Sequence, residues 1–321
     1  MRVSTFGKWT QMMADDASSA HWSPSTPLTH PRIRRVEAVV NPLSGSVGPG
    51  AAAELESLLG EHGVALRVCE ASARDLPACV RAAVDAAPDL VVILAGDGTA
   101  AMAARRAGPD GPLVAPLAGG TMNMLPHAIY GEVSWQDALR RTMSEGEIRP
   151  VSGGEVDGNA FYVAAILGAP ALWARAREAM RKGRMDLAFA RARTALGRAF
   201  TGPLKYSLAD GTEGRAEALS LLCPLTSKRM EEETALEVAA LDIKGAAEAF
   251  RLGFNALTSD WRNDPSVAVH QTIEARAWAR GAIPAMLDGE PCRLPSKVEV
   301  RFLPQAFRAL APRLPSASTP A

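Results

Sequence analysis

Four stretches of this 321-residue chain set side chains that can hold phosphate, bind a metal or move a proton beside glycines. They are Asn41-Pro42-Leu43-Ser44-Gly45, Gly96-Asp97-Gly98-Thr99, Gly120-Thr121-Met122-Asn123 and Leu287-Asp288-Gly289-Glu290. Glycine lets a backbone approach a phosphate closely, and the first turn of a helix offers unpaired N–H groups and partial positive charge. Asp97 does not fit simple phosphate binding, because a carboxylate repels phosphate. It suits holding Mg²⁺, accepting a hydrogen bond from a hydroxyl, or taking a proton; capping the helix that follows is the plainer alternative. Asp288 and Glu290 sit in one tight turn, and paired carboxylates can share a cation or transfer a proton. Neither G-x-x-x-x-G-K-[ST] nor G-x-G-x-x-G occurs.

The elements that must carry these stretches are legible from apolar patterning. Val91 to Leu94 is an unbroken apolar run, as in a strand buried on both faces of a parallel sheet. Val36 to Val40, Ala65 to Cys69 and Leu113 to Leu117 read as its neighbours, and helices are predicted near Ala51–Gly60, Ala73–Ala87 and Ala100–Arg106. The alternation predicts a doubly wound α/β lobe with ligands at the strands' carboxyl ends. From about residue 151 the pattern changes. Gly154 to Gly168 reads as a hairpin around Asp157-Gly158-Asn159, and Leu204–Leu208, Ala218–Leu222, Ala235–Leu241, Val267–Glu274, Ala282–Leu287 and Val298–Phe302 read as strands. The division expected is a tail at 1–31, an α/β domain at 32–150, a β-rich domain at 151–305, and a return segment and tail at 306–321.

Formal net charge is zero, so no global field argues for a nucleic-acid partner. Cys69, Cys79, Cys223 and Cys292 lack metal-site spacing and are expected to be reduced, buried thiols. No apolar run is long enough to span a bilayer and no signal-peptide pattern opens the chain, so a cytoplasmic protein is expected. Pro170 to Phe200 reads as a long basic helical segment, either an interfacial surface for anionic lipid or a solvated helix whose apolar side joins the core. Glu231-Glu232-Glu233 reads as an exposed turn, and His127 and His270 as structural residues.

Taken in order, Asn41-Pro42-x-Ser44-Gly45, Gly96-Asp97-Gly98-Thr99, Gly120-Thr121-x-Asn123 and Asp288-Gly289-Glu290 resemble the diacylglycerol kinase catalytic-domain family, over roughly residues 36 to 305. That family includes bacterial lipid kinases, sphingosine kinases and ceramide kinases. The resemblance implies an ATP-binding α/β lobe and a mostly β-sandwich lobe that takes the lipid, a fold shared with NAD kinases. It would place Asn41, Ser44 and Gly45 at the ATP phosphates with Gly96, Gly98 and Thr99, and Gly120, Thr121 and Asn123 along the nucleotide. Asp97 would accept the acceptor hydroxyl's proton, or Glu290 with Asp288 would serve as base or magnesium partner. Asp186 is a weak match to a structural magnesium site. ATP and Mg²⁺ are the implied cofactors. The implied partner is a lipid at a membrane surface, with peripheral contact at the inner face and room for a homodimer. The sequence departs from the family at Ala95, at the longer Ala118-Gly119 loop, and at Ser227–Glu233, where a Gly-Gly-Gly run is usual. A soluble-substrate kinase of the NAD kinase type, or a non-catalytic ATP- or lipid-binding relative, are the rival readings.

Overall fold

An apolar strand between helices must be covered on both faces, and β3 (Leu90–Ala95) is buried at every residue. The computed structural model describes residues 30–168, 204–227, 234–241 and 267–312. In it β3 lies between β1 (Arg35–Val40) and β4 (Leu113–Ala118), with β2 (Ala65–Glu70) outside β1, all parallel. The helices α1 (Ala51–Gly60), α2 (Leu76–Asp85) and α3 (Asp97–Ala107) follow the first three strands in turn. The helices α4 (Met124–Tyr130) and α5 (Trp135–Glu145) follow β4. The buried stripe of α3 is Ala100, Ala103, Ala104 and Ala107, small side chains that leave room for a close helix–sheet approach. Ser134 caps α5 by accepting the Asp137 N–H at 3.1 Å.

The first sheet continues past β4. The last strand, β16 (Lys297–Pro312), runs parallel to β4 at Ala309↔Val114 and antiparallel to β5 (Gly146–Val156) and β13 (Glu274–Trp278). Beyond β13 come β8 (Leu204–Leu208) and β9 (Glu213–Ala216), while β6 (Asn159–Phe161) pairs with β5. A second, antiparallel sheet has the order β12 (Val267–Thr272), β11 (Leu236–Leu241), β10 (Ala218–Leu222), β7 (Ala164–Gly168), β14 (Ile283–Leu287), β15 (Glu290–Leu294). Phe161, Tyr206, Leu221, Val238, Ile283 and Val300 meet in the core between the sheets. The result is a doubly wound α/β lobe, as the patterning predicts, joined to a β-sandwich lobe, as the family resemblance implies.

Three local expectations change. Val267 to Glu274 is two strands, not one: at Ile273 the chain leaves the second sheet for the first, and the Ile273 carbonyl accepts the Phe302 N–H at 2.8 Å. The last strand does not stop at Phe302. It passes Pro304 through a register shift between Leu303 and Phe307 and ends at Pro312. A proline that removes a ladder donor reads as a stop in sequence, and an irregularity in pairing accommodates it. The thiol expectation is corrected at one pair, since Cys69 and Cys79 form a disulfide while Cys223 and Cys292 are free. Cys69 lies near the end of β2 and Cys79 within α2. The short strand-to-helix connection brings their Cα atoms to 6.2 Å, within disulfide reach.

The basic stretch 170–200 with Asp186, the 228–233 run, the N-terminal tail before His30 and residues 313–321 lie outside the described residues. Among the described residues no helix is long and apolar enough to cross a membrane.

Candidate active site

The order β2-β1-β3-β4 reverses direction between β1 and β3, and in an open parallel sheet ligands bind outside the carboxyl ends at such a switch. The loops that leave β1, β3 and β4 there are three of the four stretches singled out in the sequence. The first is tied down at its start, where the Asn41 N–H donates to the Leu94 carbonyl at 3.0 Å. Asn41 Oδ1 accepts the Leu43 N–H at 3.1 Å, so its side chain folds the loop. Ser46 reaches the third loop, donating its N–H to the Gly119 carbonyl at 3.2 Å and its hydroxyl to the Gly120 carbonyl at 3.1 Å.

Glycine is required where these loops touch. A Cβ on Gly45 would stand 2.9 Å from Thr121 Oγ1, and one on Gly120 would stand 2.9 Å from Gly96 Cα. Asn123 takes a left-handed conformation (φ 51°) and accepts the Gly120 N–H through Oδ1 at 2.7 Å, closing the third loop on itself. The structure thus brings Ser44, Gly45, Gly96, Gly120, Thr121 and Asn123 together, with Gly98 and Thr99 in the first turn of α3. The side-chain oxygens of Asn41 and Asn123 are spent on shaping the loops.

Asp97 does not cap its own helix. Gly96 is the cap residue, and Asp97 opens α3 with its carboxylate turned to α4, where Oδ1 accepts the Leu125 N–H at 3.2 Å. Burial pushes the Asp97 carboxyl above the usual carboxylate range, against the opposing pull of the α4 backbone N–H groups and of His127. His127 is therefore a neighbour of the site, though its own N–H serves the α4 backbone.

The fourth stretch arrives from the sandwich lobe. Asp288 and Gly289 both have positive φ (45° and 86°) and link Leu287 to Glu290, which pair with each other. This is the two-residue hairpin for which Asp-Gly is suited. The Asp288 carboxylate turns inward. Its Oδ2 accepts the Tyr162 N–H at 2.7 Å, and its Oδ1 accepts the N–H groups of Val163 at 2.9 Å and Ala164 at 3.0 Å. Burial raises its pKa, the three backbone donors oppose this, and the charge of Asp97 adds to the rise. The hydroxyl of Tyr162 is likewise pushed up, by burial and then by the Asp288 charge.

Glu290 is exposed, and its Oε1 lies 3.7 Å from where a Cβ on Gly98 would stand, which sets the carboxylate beside the first turn of α3. A helix N-terminus favours such a charge. Carboxylates from both lobes therefore converge where the glycine loops meet. Among the described residues no group of three His, Cys, Asp or Glu side chains could hold a metal ion. Mg²⁺ is commonly bound through one or two carboxylates plus substrate phosphates and water, so Glu290, exposed beside the first turn of α3, fits an ion carried by a nucleotide.

Sequence reasoning missed several members of this neighbourhood. Ser46 was one hydroxyl in a Gly/Ser loop, and only its reach across to Gly120 distinguishes it. Met122 and Met124 turn their thioethers to within 4.0 Å and 3.9 Å of a Cβ position on Gly289, so they wall the hairpin turn. Tyr162, Val163 and Ala164 act through main-chain N–H groups, which carry no signature in residue type.

Solved structures share the fold. A candidate diacylglycerol kinase from Bacillus anthracis str. Sterne is similar over 88% of this chain and 98% of its own, with 16% identity and a TM-score of 0.68. A diacylglycerol kinase from the same organism gives 14% identity and a TM-score of 0.63 over the same shares of the two chains. No curated protein sequence matches the chain significantly. The stretch that builds the α/β lobe and its three glycine loops, residues 35–156, matches the model of the diacylglycerol kinase catalytic domain.

Proposed function

We propose that the chain is an ATP-dependent lipid kinase that transfers the γ-phosphate to a hydroxyl of a diacylglycerol-, sphingoid- or ceramide-type lipid. The observation that carries this reading is the meeting of Asp97 from one lobe with the Asp288–Glu290 hairpin of the other at the junction of three glycine loops. The domain match over residues 35–156 supports the class of reaction. Leu43 and Met122, on two of the site's loops, are 80% and 43% exposed, which suits an acceptor drawn from an apolar phase at a membrane surface.

Phosphoryl transfer asks the protein mainly for positioning and charge neutralisation. Ser44, Gly45, Gly96, Gly98, Thr99, Gly120 and Thr121 would hold the phosphates, with Asn41 and Asn123 keeping the loops in shape. Bound Mg²⁺·ATP supplies the transferable phosphoryl group and screens its charge. Asp97, with its pKa raised by burial, would accept the proton of the acceptor hydroxyl, and Glu290, beside the first turn of α3, would hold the metal ion that comes with the nucleotide.

The test is transfer of labelled phosphate from ATP to a panel of diacylglycerol, ceramide, sphingosine, phosphatidylglycerol and NAD, with Asp97→Asn and Glu290→Gln alongside. Label on one lipid, lost in both variants, is the expected result. Label on NAD alone would replace the lipid reading with the NAD kinase type. ATP binding without any transfer would leave a non-catalytic relative.

A further inference from the structure

Two Asp-Gly hairpins of the same form occur in the sandwich lobe, and they differ in one respect. Asp157-Gly158 (φ 50° and 76°) joins Val156 to Asn159, as Asp288-Gly289 joins Leu287 to Glu290. An aspartate serves such a turn through its tolerance of positive φ, and asparagine serves it as well. The Asp288 carboxylate does something further, taking three consecutive main-chain N–H groups. Its own N–H answers by donating to the Ala164 carbonyl at 2.9 Å. Tyr162 and Val163 lie between β6 and β7 and Ala164 opens β7, where the chain passes from the first sheet to the second. Tyr162 and Val163 there belong to the core of the α/β lobe, whereas Leu287 packs on the sandwich core.

We propose that Asp288 is a positioning residue and not a metal ligand: its carboxylate fastens the β14–β15 hairpin to the sheet-to-sheet crossing, and so sets where Glu290 stands over the first turn of α3. Three hydrogen bonds leave little of the carboxylate to offer a cation, while Glu290, two residues on, is exposed at the site. Gly289 completes the arrangement, since its positive φ and the thioethers of Met122 and Met124 beside it fix the side of the turn that faces the α/β lobe.

Asp288→Asn isolates the carboxylate, because Asn-Gly keeps the turn. An amide oxygen can accept at most two of the three N–H groups, and its NH₂ is set against the third. Asp157→Asn makes the same change in the other hairpin and is the control. Residue-resolved amide exchange on the full chain should show the Tyr162, Val163 and Ala164 amides losing protection by about tenfold or more in Asp288→Asn, and not in Asp157→Asn. Unchanged protection of those amides overturns the clamp. The kinetic arm rests on the lipid kinase reading. There Asp288→Asn should reproduce the Glu290→Gln defect, with kcat/KM lower by about 10²-fold and the ATP KM moved in the same direction, and the Asp288→Asn/Glu290→Gln double variant should be no slower than Glu290→Gln alone. Additive losses would mean that Asp288 meets the nucleotide or its metal directly. If the unaltered protein labels no lipid, the functional reading fails on its own, and the exchange experiment still decides the clamp.

Discussion

Asp97 is held between two influences of opposite sign. Burial makes its charged form costly, and the N–H groups at the start of α4 make that form favourable; burial is the larger. A proton acceptor benefits from this balance, because a raised pKa brings its affinity for the proton closer to that of the hydroxyl it serves. Asp97→Asn should therefore lower kcat by about 10²–10⁴-fold while leaving ATP affinity nearly unchanged, as read by transfer assays beside equilibrium nucleotide binding. The pH profile follows with its sign. Asp97 must be ionised to act, so the acid limb of kcat/KM should lie above the usual carboxylate range and flatten in the asparagine variant. For stability the sign reverses. A carboxylate whose pKa is raised by folding supports the fold fully below its unfolded pKa, and that support is lost as pH rises through the folded value. Asp97→Asn should thus match or exceed the unaltered protein in Tm at pH 7. A drop of several degrees would show that the charge is a net support. Asp89 is the opposite case, since the N–H groups of Arg34 and Arg35, each at 2.8 Å, lower its pKa. Its contribution is present above the unfolded pKa and lost as pH falls through the folded one.

The glycine loops show what an element must be for these residues to meet. Gly120 and Gly96 approach backbone to backbone, so Gly120→Ala forces two loops apart, whereas a Cβ on Gly96 would find Ser44 Oγ at 3.7 Å and Gly120 Cα at 4.0 Å, ordinary contacts. Gly120→Ala should cost about 1–3 kcal/mol in denaturant unfolding, against well under that for Gly96→Ala. Equal costs would mean that the loops are not pressed together. The Cys69–Cys79 bond staples the β2–α2 connection beside this crevice. Thiol titration of the denatured, unreduced protein should find two groups, Cys223 and Cys292, and reduction should expose four. Finding four before reduction would contradict the bond. At this scale the sequence was legible wherever periodicity or a turn signature carried the information, as in the wholly apolar β3, the Asp-Gly hairpins and the glycine loops. It was silent on contacts between distant elements. Nothing in a ten-residue cysteine spacing marks a strand end and a helix as neighbours, and nothing in Asp288 marks its three backbone donors.

Over the whole molecule the lobes are joined through β16, whose extent past Pro304 the sequence conceals. One end of the strand pairs with β13 in the sandwich lobe, and the other lies beside β4 in the α/β lobe, with β5 alongside both halves. Phe307 sits past the register shift, fully buried, with its ring edge-on to Tyr162 at 5.3 Å between centroids and 84° between planes. Tyr162 in turn donates its N–H to Asp288, so the β16 junction and the hairpin carrying Glu290 share one support. If this junction makes the lobes a single cooperative unit, Phe307→Ala should weaken both at once. The cavity should cost about 3–5 kcal/mol, a large fraction of the ~5–15 kcal/mol that holds a typical domain. Trp135 lies in α5 of the α/β lobe and Trp278 ends β13 of the sandwich, so variants that keep either tryptophan alone report on each lobe separately. Urea unfolding should give coincident midpoints from the two reporters, and Phe307→Ala should lower both together with the slope preserved. Midpoints that separate, with only the Trp135 signal shifted, would mean that β16 passes between two independently stable lobes and that the site depends on their docking, not on a shared fold.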